Sequence, residues 1–148
     1  MRVAVASDHG GFELKEKIKL HLIECGYDVV DVGTDTRDSV SYVKYGHSAC
    51  EKISEGSCDR AILVCGTGIG MSIVANKHRG IRAALCTNVF MAEMARHHND
   101  ANVLALGARI LAAPYAIKLV DVFLSESFDG GRHKDRVSQI NEMEEVIL

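Results

Sequence analysis

Five short apolar runs, each followed by a stretch of helical spacing or by another turn signal, predict an α/β protein with a parallel sheet. Glycine clusters close the first and third runs, where strand-to-helix turns fall in such folds. A length of 148 residues suits one domain, expected to span residues 1–148. The expected architecture is a three-layer α/β/α, Rossmann-like domain with a five-stranded parallel sheet, helices on both faces and a C-terminal helix. Strand order does not follow from periodicity.

The first run, Val3-Ala4-Val5-Ala6, ends in Ser7-Asp8-His9-Gly10-Gly11. From Phe12 to Cys25, Leu14, Ile18 and Leu22 recur every fourth residue, and Gly26 supplies a stop. Tyr27 to Val32 reads as the second strand, closed by Gly33 and a polar loop, before a helix from about Tyr45 to Glu55. Asp59 to Cys65 is the strongest strand; it meets Gly66-Thr67-Gly68-Ile69-Gly70 and a helix reaching about Lys77. Ile81 to Cys86 is the fourth strand, Val89 to His98 the fourth helix and Ala101 to Leu106 the fifth strand. Pro114 sits near the start of a helix carrying Ile117, Val120 and Leu124, where its missing N–H does no harm. After Asp129-Gly130-Gly131 a last helix carries Val137, Ile140, Met143 and Ile147.

Composition excludes several classes. A formal net charge of −3 leaves no electrostatic footprint for nucleic acid or an anionic membrane. No apolar run approaches the roughly 20 residues of a membrane span, and Asp8 interrupts the N-terminus too early for a signal peptide. Five scattered cysteines (Cys25, Cys50, Cys58, Cys65, Cys86) fit reduced thiols, so a cytoplasmic location is expected. No Cys or His pair has the short spacing of a zinc site.

In open parallel sheets, ligands bind beyond the carboxyl ends of the strands. That rule selects the loops Ser7–Gly11, Cys65–Gly70 and Cys86–Asn88. In the second, three glycines let the backbone approach a ligand, and the helix start presents N–H groups and a positive dipole end. An anion or a developing oxyanion is stabilised there, and a thiol at that spot is favoured in its reactive form. The plainer account makes Cys65 a small buried hydrophobe; position alone weighs the two about evenly. Thr67 is either a helix cap or a hydroxyl aimed at substrate. A dinucleotide site fits poorly, because the spacing is Gly-x-Gly-x-Gly and Leu85-Cys86-Thr87 stands where an acidic residue is required.

Asp8 could simply cap the first helix, whereas His9 at a strand's C-terminal end favours binding. His97-His98-Asn99-Asp100 lies on the opposite edge of the sheet. It is either a polar helix end or a site facing another subunit, so a role for His98 beside Cys65 requires an oligomer. Arg132, His133, Lys134 and Arg136 begin the last helix, where the dipole disfavours cations. A solvated face is the plain explanation; Arg132 and Arg136 share a helix face and together suit a phosphate. Lone Arg109 carries no such signal.

Ser7-Asp8-His9-Gly10-Gly11, Cys65-Gly66-Thr67-Gly68-Ile69-Gly70, His98-Asn99-Asp100, Asn102-Val103-Leu104-Ala105 and Gly130-Gly131-Arg132-His133 occur in register. In this the chain resembles the ribose 5-phosphate isomerase B family and its relatives acting on allose 6-phosphate and galactose 6-phosphate. The resemblance covers essentially the whole chain. It implies interconversion of D-ribose 5-phosphate and D-ribulose 5-phosphate through a cis-enediolate, a step of the pentose phosphate pathway, without metal or organic cofactor. It also implies a homodimer or dimer of dimers with sites shared across the interface, His98 coming from the neighbour. By position Cys65 would be the base at C2, Thr67 the proton shuttle between O1 and O2, and His98 the ring-opening acid/base. Backbone N–H groups of Gly66, Thr67, Gly68, Ile69 and Gly70 would hold the enediolate. Asp8 and Asn99 would bind sugar hydroxyls, and His9, Arg109, Arg132 and Arg136 the phosphate.

One departure stands out. The family commonly has Tyr-Pro-Asp after the second strand, preceded by an acidic residue; here Ser41-Tyr42-Val43-Lys44 keeps only the tyrosine. Another aldose, phosphorylated or not, is therefore an open alternative, and a non-catalytic sugar-phosphate or nucleotide-binding module is a further one. The galactose branch fits less well, because it tends to lose the His-Asn and Gly-Gly-Arg-His signatures.

Overall fold

A computed structural model describes residues 1–144; the expected core position Ile147 lies outside the described residues. The elements run β1 (Arg2–Ser7), α1 (Phe12–Glu24), β2 (Asp28–Asp31), α2 (Tyr42–Ser54), β3 (Arg60–Cys65), α3 (Ile69–Ala75), β4 (Ala83–Leu85), α4 (Val89–His97), β5 (Val103–Gly107), α5 (Ala113–Ser125) and α6 (Arg132–Met143). The strands form one parallel sheet in the order β2-β1-β3-β5-β4. This is the α/β fold expected from the alternation of runs.

Both faces of the sheet are covered, which is why its strands read as continuous apolar runs. Val3, Val5, Ile62, Val64, Leu104 and Leu106 face a core completed by Ile18 and Leu22 of α1, Ala92 of α4 and Phe123 of α5. Ala4, Ala6, Ala61, Leu63 and Ala105 face the other core, with Ala49 and Cys50 of α2 and Met71 of α3. Burial pushes the thiols of Cys50 and Cys86 up to about 11, which leaves both as neutral packing residues.

Most boundaries shift by one to three residues from the periodic reading, and three of the shifts have a visible cause. Helix α2 starts at Tyr42 rather than Tyr45, because its first turn is exposed and its apolar residues, Tyr42 and Val43, join no buried stripe. Strand β4 shrinks to Ala83–Leu85: Ile81 N–H closes a turn on His78 O, and Asn76 takes the Ala83 N–H. Strand β5 starts at Val103: Asn102 O still accepts the Ala61 N–H, while the Asn102 side chain pairs with Arg82 N–H and Gly80 O.

Lys15 is 1% exposed, yet it lies in α1 against the sheet. Its Nζ donates to Asp31 Oδ2 at 2.6 Å and lies 2.8 Å from Glu16 Oε1. Burial raises the Asp31 carboxyl, but hydrogen bonds from Lys15, Lys19 and the Gly33 N–H outweigh it and hold it below its ordinary value. A folded pKa below the unfolded one gives stability that is complete above about pH 4 and lost as pH falls through the folded value.

Asp100 is the one non-glycine residue with positive φ (45°) among those described. Arg96, 3% exposed, donates to Asp100 Oδ1 at 2.9 Å, and Arg82 Nη2 donates to Asp100 O at 2.9 Å. Arg82 Nε also reaches Asn99 O at 3.0 Å. Two guanidinium groups thereby fix the turn that follows α4.

Two outcomes are expected from urea unfolding. Asp31→Asn loses about 2 kcal/mol at pH 6, the scale of a hydrogen bond to a charged group, since Glu16 still pairs with Lys15, and shows a shallower loss than wild type on acidification to pH 3. Asp100→Ala is less stable than Asp100→Gly by about 1 kcal/mol, because only the first adds left-handed strain.

Candidate active site

The order β2-β1-β3 makes the carboxyl ends of β1 and β3 the switch point of the sheet, where two loops meet. The start of α1 presses on the end of β3: a Cβ at Gly11 would lie 2.4 Å from Val64 O, so only glycine fits. Asp8, 7% exposed, accepts the Gly11 N–H at 3.0 Å and shapes this turn. His9 Nδ1 accepts the Val40 N–H at 3.2 Å, tying the loop before α2 to the end of β1. A cleft of about 350 Å³ beside this edge is lined by His9, Gly10, Lys17 and Arg37 among others, and not by Cys65.

Cys65 ends β3 and is 5% exposed. Its Sγ accepts the Gly68 N–H at 3.2 Å. Gly68 is left-handed (φ 80°), and a Cβ there would lie 2.5 Å from Leu85 Cδ1, so both conformation and packing demand glycine. Thr67 is exposed, and its Oγ1 accepts the Ile69 N–H at 3.3 Å, leaving the hydroxyl hydrogen free to donate. The N–H groups of Gly68 and Ile69 are thus committed within the loop. Outward donation in loop 66–70 falls to the remaining amides.

Arg109 comes to this edge as well. Ala108 N–H donates to Cys65 O at 2.8 Å and Arg109 N–H to Gly66 O at 2.9 Å, placing the guanidinium over Gly66. The isolated Arg109 had no signal in the residue pattern because its place depends on β5 lying beside β3. The ring of Tyr42 covers Gly70, so the departure segment borders the loop.

The other candidates lie at the opposite edge. Helix α4 runs back against the strands and delivers His98 and Asn99 to the amino ends of β4 and β5. Helix α5 does the same for the 126–131 loop, which starts α6 there. The rings of His98 and His133 stack with centroids 4.1 Å apart and planes at 10°. Burial lowers the His133 pKa, and the charges of His98, Arg132 and Arg136 lower it further. His97 donates toward Glu126 Oε2 (2.6 Å) and Asp129 Oδ1 (3.2 Å), and these contacts raise its pKa. The residue pattern missed the His98–His133 stack, since the two lie 35 positions apart and only the α5 return joins them.

The structure therefore brings together Asp8, His9, Cys65, Gly66, Thr67, Gly68, Ile69, Gly70 and Arg109. It gathers His98, Asn99, Arg132 and Arg136 separately. The six residues of β3 put about 20 Å of sheet between the two groups, so a single protomer does not unite them.

No described helix is long and apolar enough to cross a membrane. Residues 3–140 match the family model described as Ribose/Galactose Isomerase. The chain is 42% identical to ribose-5-phosphate isomerase B of Escherichia coli over 97% of each chain. It is also 42% identical to a 4-deoxy-4-sulfo-D-erythrose isomerase of a Clostridium species, over 86% of this chain and 81% of that one. Among solved structures, ribose-5-phosphate isomerase B of Clostridium thermocellum superposes with a TM-score of 0.99 at 49% identity, covering 100% of both chains. The Thermotoga maritima ribose 5-phosphate isomerase gives 0.93 at 50% identity, over 95% of this chain and 97% of that one. With a glycine-turn thiol at the switch point and relatives matched along its whole length, the chain belongs to the ribose/galactose isomerase family and is an aldose–ketose isomerase.

Proposed function

We propose that the protein interconverts D-ribose 5-phosphate and D-ribulose 5-phosphate, as a homodimer or dimer of dimers whose sites are shared between subunits. The observation that carries this reading is the Cys65 sulfur, held under the Gly68 N–H at the start of α3. Relatives named for that reaction, nearly half identical over the full length, support the substrate.

In the open-chain aldose, Cys65 takes the proton from C2 and returns it to C1. The electron pair left on C2 forms the enediolate double bond as the C1 carbonyl oxygen gains charge. Free amides of loop 66–70 stabilise that oxygen. Thr67, with a hydroxyl hydrogen to give, moves the remaining proton from O2 to O1. His98 of the neighbouring subunit opens the furanose ring, Asp8 and Asn99 bind sugar hydroxyls, and His9, Arg109, Arg132 and Arg136 hold the phosphate. The split of these residues between opposite sheet edges supports a shared site: each subunit supplies the half that the other lacks.

A second reading, isomerisation of a different aldose, is favoured by the sulfo-sugar relative and by Val43 and Lys44 beside Tyr42 on Gly70. Initial rates on a panel of four-, five- and six-carbon aldoses, phosphorylated, sulfonated and free, decide between the two. Ribose 5-phosphate is expected to give the highest kcat/KM, and any other aldose ahead of it would overturn the assignment.

Three variants test the roles. Cys65→Ala loses C2 proton exchange by on the order of 10³-fold, measured by NMR in deuterated water, while phosphate inhibition is retained. Arg136→Ala raises KM for ribose 5-phosphate about tenfold or more with little change in kcat. Co-expressed Cys65→Ala and His98→Asn chains, each inactive alone, recover about a quarter of wild-type activity, because half the random dimers hold one intact site. No recovery in a verified mixed dimer would exclude a shared site.

A further inference from the structure

We propose that His98, Asp129 and His133 form a binding site for a divalent transition-metal ion of the zinc type. One donor atom from each lies within 4.8 Å of the other two. Two imidazoles and one carboxylate are a donor set that zinc uses when it keeps a coordination position open. The spacing of Cys and His along the chain argued against zinc; the fold assembles the donors from the end of α4, the 126–131 loop and the first turn of α6.

Tetrahedral zinc with bonds near 2.0–2.1 Å sets its donors about 3.3 Å apart, so a closure of about 1.5 Å at most is needed. A metal must lie in the plane of both rings, whereas the rings are stacked at 10°. One ring must therefore turn. His133 is buried at 9% exposure and His98 is half-buried, so His98 is the ring that turns while His133 stays. His97 holds Asp129 from behind at 3.2 Å, and Glu126 anchors His97 in turn, an arrangement that orients a ligating carboxylate. Arg132 and Arg136 on the same helix oppose a cation, which makes the charge of Asp129 decisive for affinity.

A bound metal occupies the His98 nitrogen that ring opening requires, so the ion inhibits the isomerase reversibly. That consequence rests on the function proposed above; the metal site itself does not.

Zinc is titrated against a chromophoric chelator into the full-length protein carrying Cys25→Ser and Cys65→Ala, so that neither thiol competes. One ion per chain is expected, and Asp129→Asn in this background should weaken it at least tenfold while circular dichroism stays unchanged. Equal affinity with and without Asp129, or no stoichiometric binding, overturns the site. With Cys65 restored and the enzyme stripped of metal, Asp129→Asn is expected within twofold of wild-type activity. Its zinc inhibition midpoint should rise at least tenfold, and chelator should restore activity in both. Stoichiometric binding that depends on Asp129 but leaves activity intact upholds the site and overturns the role given to His98.

Discussion

A parallel sheet sends every strand-to-helix turn to one edge and every helix-to-strand turn to the other. In this chain that constraint separates a thiol from an imidazole. Cys65 ends β3 under the Gly68 N–H, while His98 leaves α4 at the amino ends of β4 and β5. Neither position can move without reversing an element. In the dimer proposed above, a second copy of the chain with one edge laid against the other closes the distance, and symmetry then makes two such sites.

Each edge is cross-linked in its own way. At the switch point, loops interlock through backbone bonds: Ala108 and Arg109 donate to Cys65 and Gly66, and the α1 start rests on Val64. At the far edge, side chains do the same work. Arg96 and Arg82 clamp Asp100 in a left-handed turn, His97 bridges two carboxylates, and Glu144 accepts the Gly80 N–H with both oxygens. The half that offers amides is held by amides, and the half that offers side chains is held by charge. The second arrangement depends more on pH, since it includes histidines next to carboxylates.

The two sheet faces also differ in kind. Branched residues meet α1, α4 and α5, whereas the alanines of β1, β3 and β5 meet α2 and α3. Small residues let α3 lie close to the sheet, and this brings Gly68 against Leu85 and Leu106. The turn that holds the sulfur is thus tied to the packing of a neighbouring strand.

Much of this was legible in the residues. Alternating runs revealed five strands and six helices, since burial on both faces leaves continuous apolar stretches and helical faces leave a four-residue beat. The Cys65–Gly70 turn and the Asp8–Gly11 turn were legible because close backbone approach permits little but glycine. The first turn of α2 and the ends of β4 and β5 were not, because exposed residues and side-chain bonds from Asn76 and Asn102 leave no periodic trace. Local features, then, were determined by the sequence alone: which loops are rich in glycine at strand ends, which thiol sits in such a loop, which arginines share a face. Only the tertiary structure decided what those groups meet. Strand order placed Arg109 over Gly66, the return of α5 stacked His133 on His98, and strand direction put His98 out of reach of Cys65 in the same protomer. Such contacts join residues tens of positions apart, and no spacing rule along a chain encodes them.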